Sequence, residues 1–245
     1  MSLVLEGVSK VMNGQTHIYP TDWELQSGTM NVLLGPTSSG KTSLMRLMAG
    51  LDVANKGKVI WGGKDVTGMR VQDRGVAMVY QQFINYPSMT VYENIASPMR
   101  LLGQSKGQID EAVKKAADLM KLSPFLDRKP LELSGGQQQR AALARAMAPG
   151  PQVLLMDEPF ASVDIVLRRR LRRDCRIILR ERGATTVLVT HDPAEALDIA
   201  DRIAVMEAGR IVQFATPSEL HAAPASAAVG AMFGGAQVVA GTRCE

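Results

Sequence analysis

The sequence predicts an α/β fold with a mostly parallel main sheet, an N-terminal antiparallel β region and an inserted helical region. Four short apolar runs predict the main sheet, because strands buried on both faces are continuously apolar rather than alternating. The runs cover residues 31–34, 76–80, 153–156 and 186–190. Each run leads into a glycine or a polar residue, and ligands of open α/β sheets bind at the carboxyl ends of the strands. The sequence therefore predicts a functional site at that edge of the sheet.

Two regions differ from this pattern. Residues 3–5, 23–25 and 58–61 are short or alternating, with Gly and Asn between them, which is typical of antiparallel strands. From about residue 88 to 148 the strand pattern disappears, and apolar residues at helical spacing over 109–122 predict a helix. We therefore expect a helical region inserted between two strands of the main sheet.

Length and composition suit a globular protein, since 46% of the 245 residues are hydrophobic and 21% are charged. We expect a main domain over residues 1–225, with the helical insertion at about 88–148, and a short tail over 226–245. After Pro217 the chain becomes rich in Ala and Gly, and residues 222–245 show little periodicity, which predicts a poorly packed end.

The sequence also indicates the cellular compartment of the protein. The first residues lack the basic-then-apolar layout of a secretion signal, and no stretch approaches the roughly 18 apolar residues of a membrane-spanning helix. The two cysteines, Cys175 and Cys244, are far apart, which favours free thiols in a reducing compartment. These features predict a cytoplasmic protein.

The phosphate-loop (Walker A) pattern G-x-x-x-x-G-K-[ST] occurs at residues 35–42, directly after a predicted strand, as the pattern requires. Backbone N–H groups of such a loop, with the helix dipole behind them, cradle phosphate oxygens. Lys41 would contact the outer phosphates, and the Thr42 hydroxyl would ligate Mg²⁺. The nucleotide-binding residues predicted here are Gly35, Pro36, Thr37, Ser38, Ser39, Gly40, Lys41, Thr42 and Ser43.

Two adjacent carboxylates, Asp157 and Glu158, end the third apolar run. Asp157 would lie in the outer shell of the Mg²⁺ that Thr42 holds, and Glu158 would polarise a water towards the γ-phosphate. For either acid alone, capping the turn before Pro159 is an alternative.

A second glycine-rich, helix-opening site is formed by Ser134, Gly135, Gly136 and Gln137, which we call the signature segment. Serine followed three residues later by glutamine has the form of a capping box. The two glycines leave the backbone bare, so a phosphate could approach the helix N-terminus. One nucleotide hardly needs two such cradles. We therefore expect the second to serve a nucleotide held by another copy of the domain.

Taken in order, these motifs resemble the ATP-binding-cassette (ABC) ATPase domain over about residues 1–220. The resemblance rests on the phosphate loop, Gln81, the Leu-Ser-Gly-Gly-Gln run at 133–137, Asp157 with Glu158, Asp164 and His191. It implies a P-loop NTPase core with an N-terminal antiparallel β subdomain and a helical signature-motif subdomain. It also implies a head-to-tail dimer, in which each of two ATP molecules lies between one subunit's phosphate loop and the other's signature segment.

The resemblance further implies individual roles. Glu158 would be the general base, and His191 the switch that contacts the γ-phosphate. Gln81 would bind the metal and sense the attacking water, and Asp164 would communicate across the dimer.

Two positions depart from the family pattern. Met12 falls where the family usually has an aromatic residue that stacks on adenine, so stacking would be weaker or supplied elsewhere, with Tyr19 as a poor substitute. Ser38 stands where the family commonly has glycine, which leaves the backbone less free to adopt positive φ. Neither departure affects the predicted hydrolytic residues.

Residues 78–87 and 90–95 resemble ATPases of bacterial carbohydrate importers, especially those for glycerol, glycerol phosphate and polyols. This resemblance implies separate membrane permeases, an indirectly associated solute-binding protein, and a peripheral position at the cytoplasmic face of the inner membrane. A permease coupling helix would contact an apolar floor of Phe83, Ile84, Tyr86 and Met89. Alternatively, these side chains pack the helical insertion. The regulatory C-terminal domain usual in this group is expected to be missing.

A soluble ABC ATPase that acts on nucleic acid or on a complex is the alternative from another class. Import of another class of solute is a second alternative. The arginine-rich run at 168–182 could in principle contact a phosphate backbone. Apolar residues recur within it at helical spacing, which favours a solvated arginine face. We therefore expect no nucleic acid partner.

Overall fold

The computed structural model describes residues 2–82 and 84–234, which form two sheets and the helices packed on them. The smaller sheet has the strand order β2-β1-β4-β5 and is antiparallel throughout. Its strands are β1 (Leu3–Met12), β2 (Gln15–Leu25), β4 (Lys56–Trp61) and β5 (Lys64–Asp65). The predicted N-terminal antiparallel region is confirmed.

The larger sheet has the order β10-β9-β3-β8-β7-β6 and is parallel except for the β9–β10 pair. Its strands are β3 (Met30–Leu34), β6 (Val76–Val79), β7 (Val153–Asp157), β8 (Thr185–Thr190), β9 (Arg202–Glu207) and β10 (Arg210–Ala215). All residues of β3, β7 and β8 are buried. The four predicted runs are thus neighbouring parallel strands, and their carboxyl ends share one edge.

The helices cover both faces of the larger sheet. They are α1 (Lys41–Ala49), α2 (Val91–Leu101), α3 (Lys106–Leu119), α4 (Gly135–Met147), α5 (Ile165–Glu181), α6 (Pro193–Ile199), α7 (Pro217–Ala222) and α8 (Ala227–Gly234). Successive strand residues enter different cores, since Leu154 packs with α2–α5 whereas Leu155 packs with α1 and the smaller sheet. The predicted helical insertion is confirmed as α2, α3 and α4, which lie between β6 and β7.

The expectation of a poorly packed end after Pro217 is wrong for residues 217–234. A capping box at Thr216 and Glu219 begins α7, and Leu220 is buried. In α8, Val229 and Phe233 are four residues apart, so both lie on one face and enter the main core. The surrounding alanines and glycines hide this spacing in the sequence. Residues 235–245, including Cys244, lie outside the described residues.

Within residues 2–82 and 84–234, no helix combines the length and the hydropathy needed to cross a membrane.

Candidate nucleotide-binding site

The phosphate loop connects β3 to α1 and curls around the Lys41 amine. Lys41 Nζ donates to the carbonyls of Gly35 and Pro36, both at 2.7 Å, and lies 3.4 Å from Ser39 Oγ. Burial lowers the pKa of Lys41, while the nearby carboxylates of Glu158 and Asp157 act in the opposite direction. A buried ammonium group therefore stands at the bottom of the loop, and its donors are held by main-chain oxygens that a phosphate oxygen could replace.

Backbone conformation and close approach restrict three positions of the loop. Gly40 has φ of 102° and Ser38 has φ of 65°, so Ser38 is left-handed at a cost of about 1 kcal/mol. At Gly35, an added Cβ would lie 2.2 Å from the carbonyl oxygen of Met206. Ser38 thus adopts a positive φ, although it stands where the family commonly has glycine.

Thr42 and Asp157 meet across the loop, where Thr42 Oγ1 donates to Asp157 Oδ2 at 2.9 Å. Burial raises the pKa of the Asp157 carboxyl, and the hydrogen bond from Thr42 partly offsets that rise. A hydroxyl, a carboxylate and the amide oxygen of Gln81 form the hard oxygen donor set that Mg²⁺ takes together with phosphates and waters. The chemistry of these residues therefore fits a magnesium ion.

Glu158 is the centre of a side-chain cluster at the ends of β6, β7 and β8. His191 Nδ1 lies 2.7 Å from Glu158 Oε1, and Gln81 Nε2 donates to Glu158 Oε2 at 3.4 Å. The Glu158 side chain is 18% exposed and that of His191 is 64% exposed. The structure thus brings together three residues that are up to 110 positions apart in the sequence, with a carboxylate that solvent and substrate can reach.

The backbone of Glu158 is strained, because its φ of 46° lies in the left-handed region at a cost of about 1–3 kcal/mol. Its N–H donates to Val189 O at 3.1 Å, and its carbonyl accepts from Ala161 N at 3.2 Å. The same carbonyl accepts from Gln139 Nε2 at 3.1 Å. Gln139 is not among the site residues predicted from the sequence. The available signal is its spacing of four residues before buried Leu143, which places a polar side chain on the core face of α4.

The signature segment begins α4 and forms the predicted capping box. Ser134 N donates to Gln137 Oε1 at 2.8 Å, and Gln137 N donates to Ser134 Oγ at 3.3 Å. An added Cβ at Gly136 would lie 2.9 Å from Ser162 O, so the helix end and the 158–162 loop are in close contact. The segment is thus held by its own capping box and by its contact with the 158–162 loop.

Asp164 caps α5, since its Oδ1 accepts from the N–H groups of Val166 at 3.0 Å and Leu167 at 3.2 Å. Arg168 holds the preceding turn by donating to the carbonyls of Ala161 and Val163. Asp164 is therefore a structural cap in this chain, whatever it contacts in a dimer.

Comparison with known proteins agrees with this geometry. The sequence matches the family described as ABC transporter over residues 19–161, more than half of the chain. It is 43% identical over 243 residues to the sulfate/thiosulfate import ATP-binding protein CysA 2 of Agrobacterium fabrum, covering 98% of this chain and 71% of that protein. The chain belongs to the ABC transporter family.

Further relatives of this cassette are named after different solutes. It is 42% identical over 236 residues to the trehalose/maltose import ATP-binding protein MalK of Thermococcus litoralis, covering 94% of the cassette and 63% of that protein. It is 40% identical over 233 residues to the sn-glycerol-3-phosphate import ATP-binding protein UgpC of Cupriavidus necator, covering 95% and 64%. The cassette spans about two thirds of the length of these relatives.

The fold is that of solved ABC cassettes. A dimeric ATP-binding cassette in a post-hydrolysis state, bound to ADP and Pi, superposes with a TM-score of 0.80 at 26% identity. The match covers 88% of this chain and 98% of the other. The predicted fold class, family and ATPase activity are therefore confirmed.

A cleft of about 550 Å³ lies against the phosphate loop of the cassette, between it and β2. It is lined by Gln15, Thr16, His17, Tyr19, Ser38, Gly40, Lys41, Thr42, Ser43, Ala208 and Gly209. Met12 is 43% exposed and pairs with Gln15 at the end of the β1–β2 hairpin, next to this lining. The Arg210 guanidinium lies 3.6 Å from the Tyr19 ring centroid, so one face of Tyr19 is already covered.

The surface after Gln81 presents apolar side chains of the cassette. Ile84 is 57% exposed and Tyr86 is 45% exposed, whereas Met89 is half-buried; Phe83 lies outside the described residues. Arg145 donates to Ile84 O at 2.6 Å and lies over the Tyr86 ring. The backbone is thus tied to the helical insertion, while Ile84 itself is mostly exposed.

Proposed function

We propose that this cassette is the nucleotide-binding subunit of an ABC import system, in which ATP hydrolysis at a dimer interface drives uptake of a small solute through separate permeases. The observation that carries the proposal is the Glu158 cluster beside the phosphate loop. It provides a carboxylate at the place where a water could attack the γ-phosphate. The relatives reported above, all named as import ATP-binding proteins, support the direction of transport.

In the proposed reaction, residues of one chain bind the phosphates of ATP and activate the attacking water. Lys41 exchanges its carbonyl partners for outer phosphate oxygens, and residues 35–43 donate main-chain N–H groups to the phosphates. Glu158 accepts a proton from the attacking water, while His191 and Gln81, each in contact with one of its oxygens, hold the carboxylate in place. Thr42, Asp157 and Gln81 would hold Mg²⁺, which would neutralise charge on the phosphates.

The signature segment completes the site of a second subunit, which is either a copy of this chain or a paralogue. Its capped helix end presents free N–H groups to the nucleotide of the partner. Asp164, at the start of α5, would transmit the state of one site to the other. Met12 would lie against the adenine in place of an aromatic residue.

Permeases would bind at the exposed surface of Ile84 and Tyr86, and half-buried Met89 would contribute to the floor for a coupling helix. The cassette would then sit at the cytoplasmic face of the inner membrane, and a solute-binding protein would deliver the solute from the other side. The resemblance over residues 78–87 and 90–95 favours a carbohydrate, glycerol or polyol. Sulfate and iron, which also occur in the relatives' names, are the alternative solutes. We also propose the division of the chain into a main domain over residues 1–225 and a short tail over residues 226–245.

Reconstitution of the cassette with permease subunits of an import system tests this function, and permeases encoded beside it, where present, are the first to use. We expect the permeases to stimulate ATP turnover in vesicles, and the Ile84→Asp variant to lose the stimulation while retaining basal turnover. Basal turnover that no permease changes would contradict an import role.

A nucleic-acid-directed ATPase is the alternative, because arginines of α5 line a groove of about 960 Å³. Most of them already have acidic partners. Arg172 pairs with Glu195 and Asp198, and Arg176 pairs with Asp201 at 2.9 Å. Salt-dependent binding of DNA or RNA that stimulates turnover would favour this alternative.

A further inference from the structure

Gln139 joins two parts of the cassette that serve different nucleotides. Its side chain is 1% exposed and lies on α4, two residues beyond the signature segment. Nε2 donates to Glu158 O at 3.1 Å, and Oε1 accepts from Ser162 N at 2.9 Å. Both ends of one buried amide are therefore bonded to the backbone of the loop that carries Glu158.

The contacts of Gln139 hold the backbone at Glu158, which has a strained conformation. Glu158 is left-handed, and its carbonyl is also bonded by Ala161 N across the turn. Such a conformation persists only where the surroundings hold it. Removal of the Gln139 amide would leave that carbonyl with one donor fewer and would leave Ser162 N–H without its acceptor.

The start of α4 also touches this loop directly. The α-carbon of Gly136 approaches Ser162 O so closely that an added Cβ would lie at 2.9 Å. The first turns of α4 and residues 158–162 are thus joined by two hydrogen bonds and a backbone contact. Neither can shift alone without breaking them.

We propose that Gln139 is a positioning residue that couples the signature segment to the general base of the same chain. The inference rests on the proposed function, in which Glu158 acts on the chain's own ATP and the signature segment binds the partner's ATP. When the partner's nucleotide fixes the start of α4, Gln139 transmits that position to the Glu158 carbonyl. Each subunit's base is then in place only when the other subunit's nucleotide is bound.

Substitution of Gln139 by methionine retains its length and removes both hydrogen bonds. We expect Gln139→Met to lower kcat on the order of 10²-fold, because small displacements of a catalytic group have effects of that size. The KM for ATP should change by no more than about twofold, since the phosphate loop is untouched. Gln138→Met is the matched control, because the Gln138 side chain bonds only Leu133 O among the described residues. It should retain wild-type kcat.

The Gln139→Glu variant supplies a readout that a purely structural role would not give. An ionised carboxylate accepts from Ser162 N but has no proton for the Glu158 carbonyl, whereas the neutral acid reproduces both bonds of the glutamine. Turnover relative to the wild type at the same pH should therefore rise as the pH falls from about 8 to about 5. This measurement stands even if Gln139→Met does not fold.

The outcomes separate the inference from the proposed function. Wild-type kcat in Gln139→Met, or a pH-independent activity ratio in Gln139→Glu, would overturn the inference while an inactive Glu158→Gln keeps the base assignment. Full turnover in Glu158→Gln would instead remove the base assignment, and the inference with it.

Discussion

The Nδ1 atom of His191 lies 2.7 Å from Oε1 of Glu158, although the two residues follow different strands. β7 and β8 are parallel neighbours, with Asp157 paired to Val189, so the residues that follow them lie side by side. A carboxylate held by an imidazole is thereby placed next to the phosphate loop. The predictions below test what each part of this arrangement contributes.

Glu158→Gln should lower ATP turnover about 10²- to 10⁴-fold, because an amide cannot accept the proton of the attacking water. Nucleotide binding should remain, since Lys41 and the loop are unchanged. Steady-state phosphate release and equilibrium binding of ATP measure the two effects. Glu181→Gln, at the exposed end of α5, is the matched control and should behave like the wild type.

His191→Ala should reduce kcat about 10²-fold through the loss of the group that holds Glu158. Because the His191 side chain is 64% exposed, the unfolding temperature should stay within the spread of surface substitutions. His221→Ala, at the exposed end of α7, provides the comparison. Loss of stability in His191→Ala together with unchanged kcat would contradict the assigned role.

Thr42→Val should raise the Mg²⁺ concentration needed for half-maximal turnover by about 10-fold or more, because a ligand oxygen and its bond to Asp157 are lost. Thr42→Ser keeps the hydroxyl and should stay near the wild type. Magnesium titration of both variants at saturating ATP measures the difference. Equal magnesium requirements in the two variants would argue against Thr42 as a ligand.

Cys175 should not react with thiol reagents in the folded protein. Its side chain is fully buried, and burial raises the pKa of the thiol to about 12, so hardly any thiolate exists near neutral pH. In a Cys244→Ser background, maleimide labelling should proceed only as fast as the protein unfolds. Rapid labelling of folded protein would show that α5 opens easily.

The sequence predicted the main sheet and its functional edge because burial on both faces leaves a continuous apolar pattern in β3, β7 and β8. It also predicted the capping box at Ser134 and the meeting of Thr42 with Asp157. It did not predict the β9–β10 hairpin or the packed helix α8. In α8, the apolar spacing is short and lies among small residues. Gln139 was not singled out because its neighbours Gln137 and Gln138 are also glutamines, and only packing distinguishes the buried one.

The central claim is that one chain supplies half of each ATP site, and the oligomeric state of Glu158→Gln tests it most directly. With ATP, this variant should form a dimer that holds two nucleotides, as measured by light scattering and nucleotide content; without ATP it should be a monomer. Adding Ser134→Arg, which places a cation and a long side chain at the helix N-terminus, should abolish the dimer and leave ATP bound to the monomer. A Glu158→Gln chain that stays monomeric with ATP bound would contradict the account. So would a Ser134→Arg substitution that removes ATP binding from the monomer.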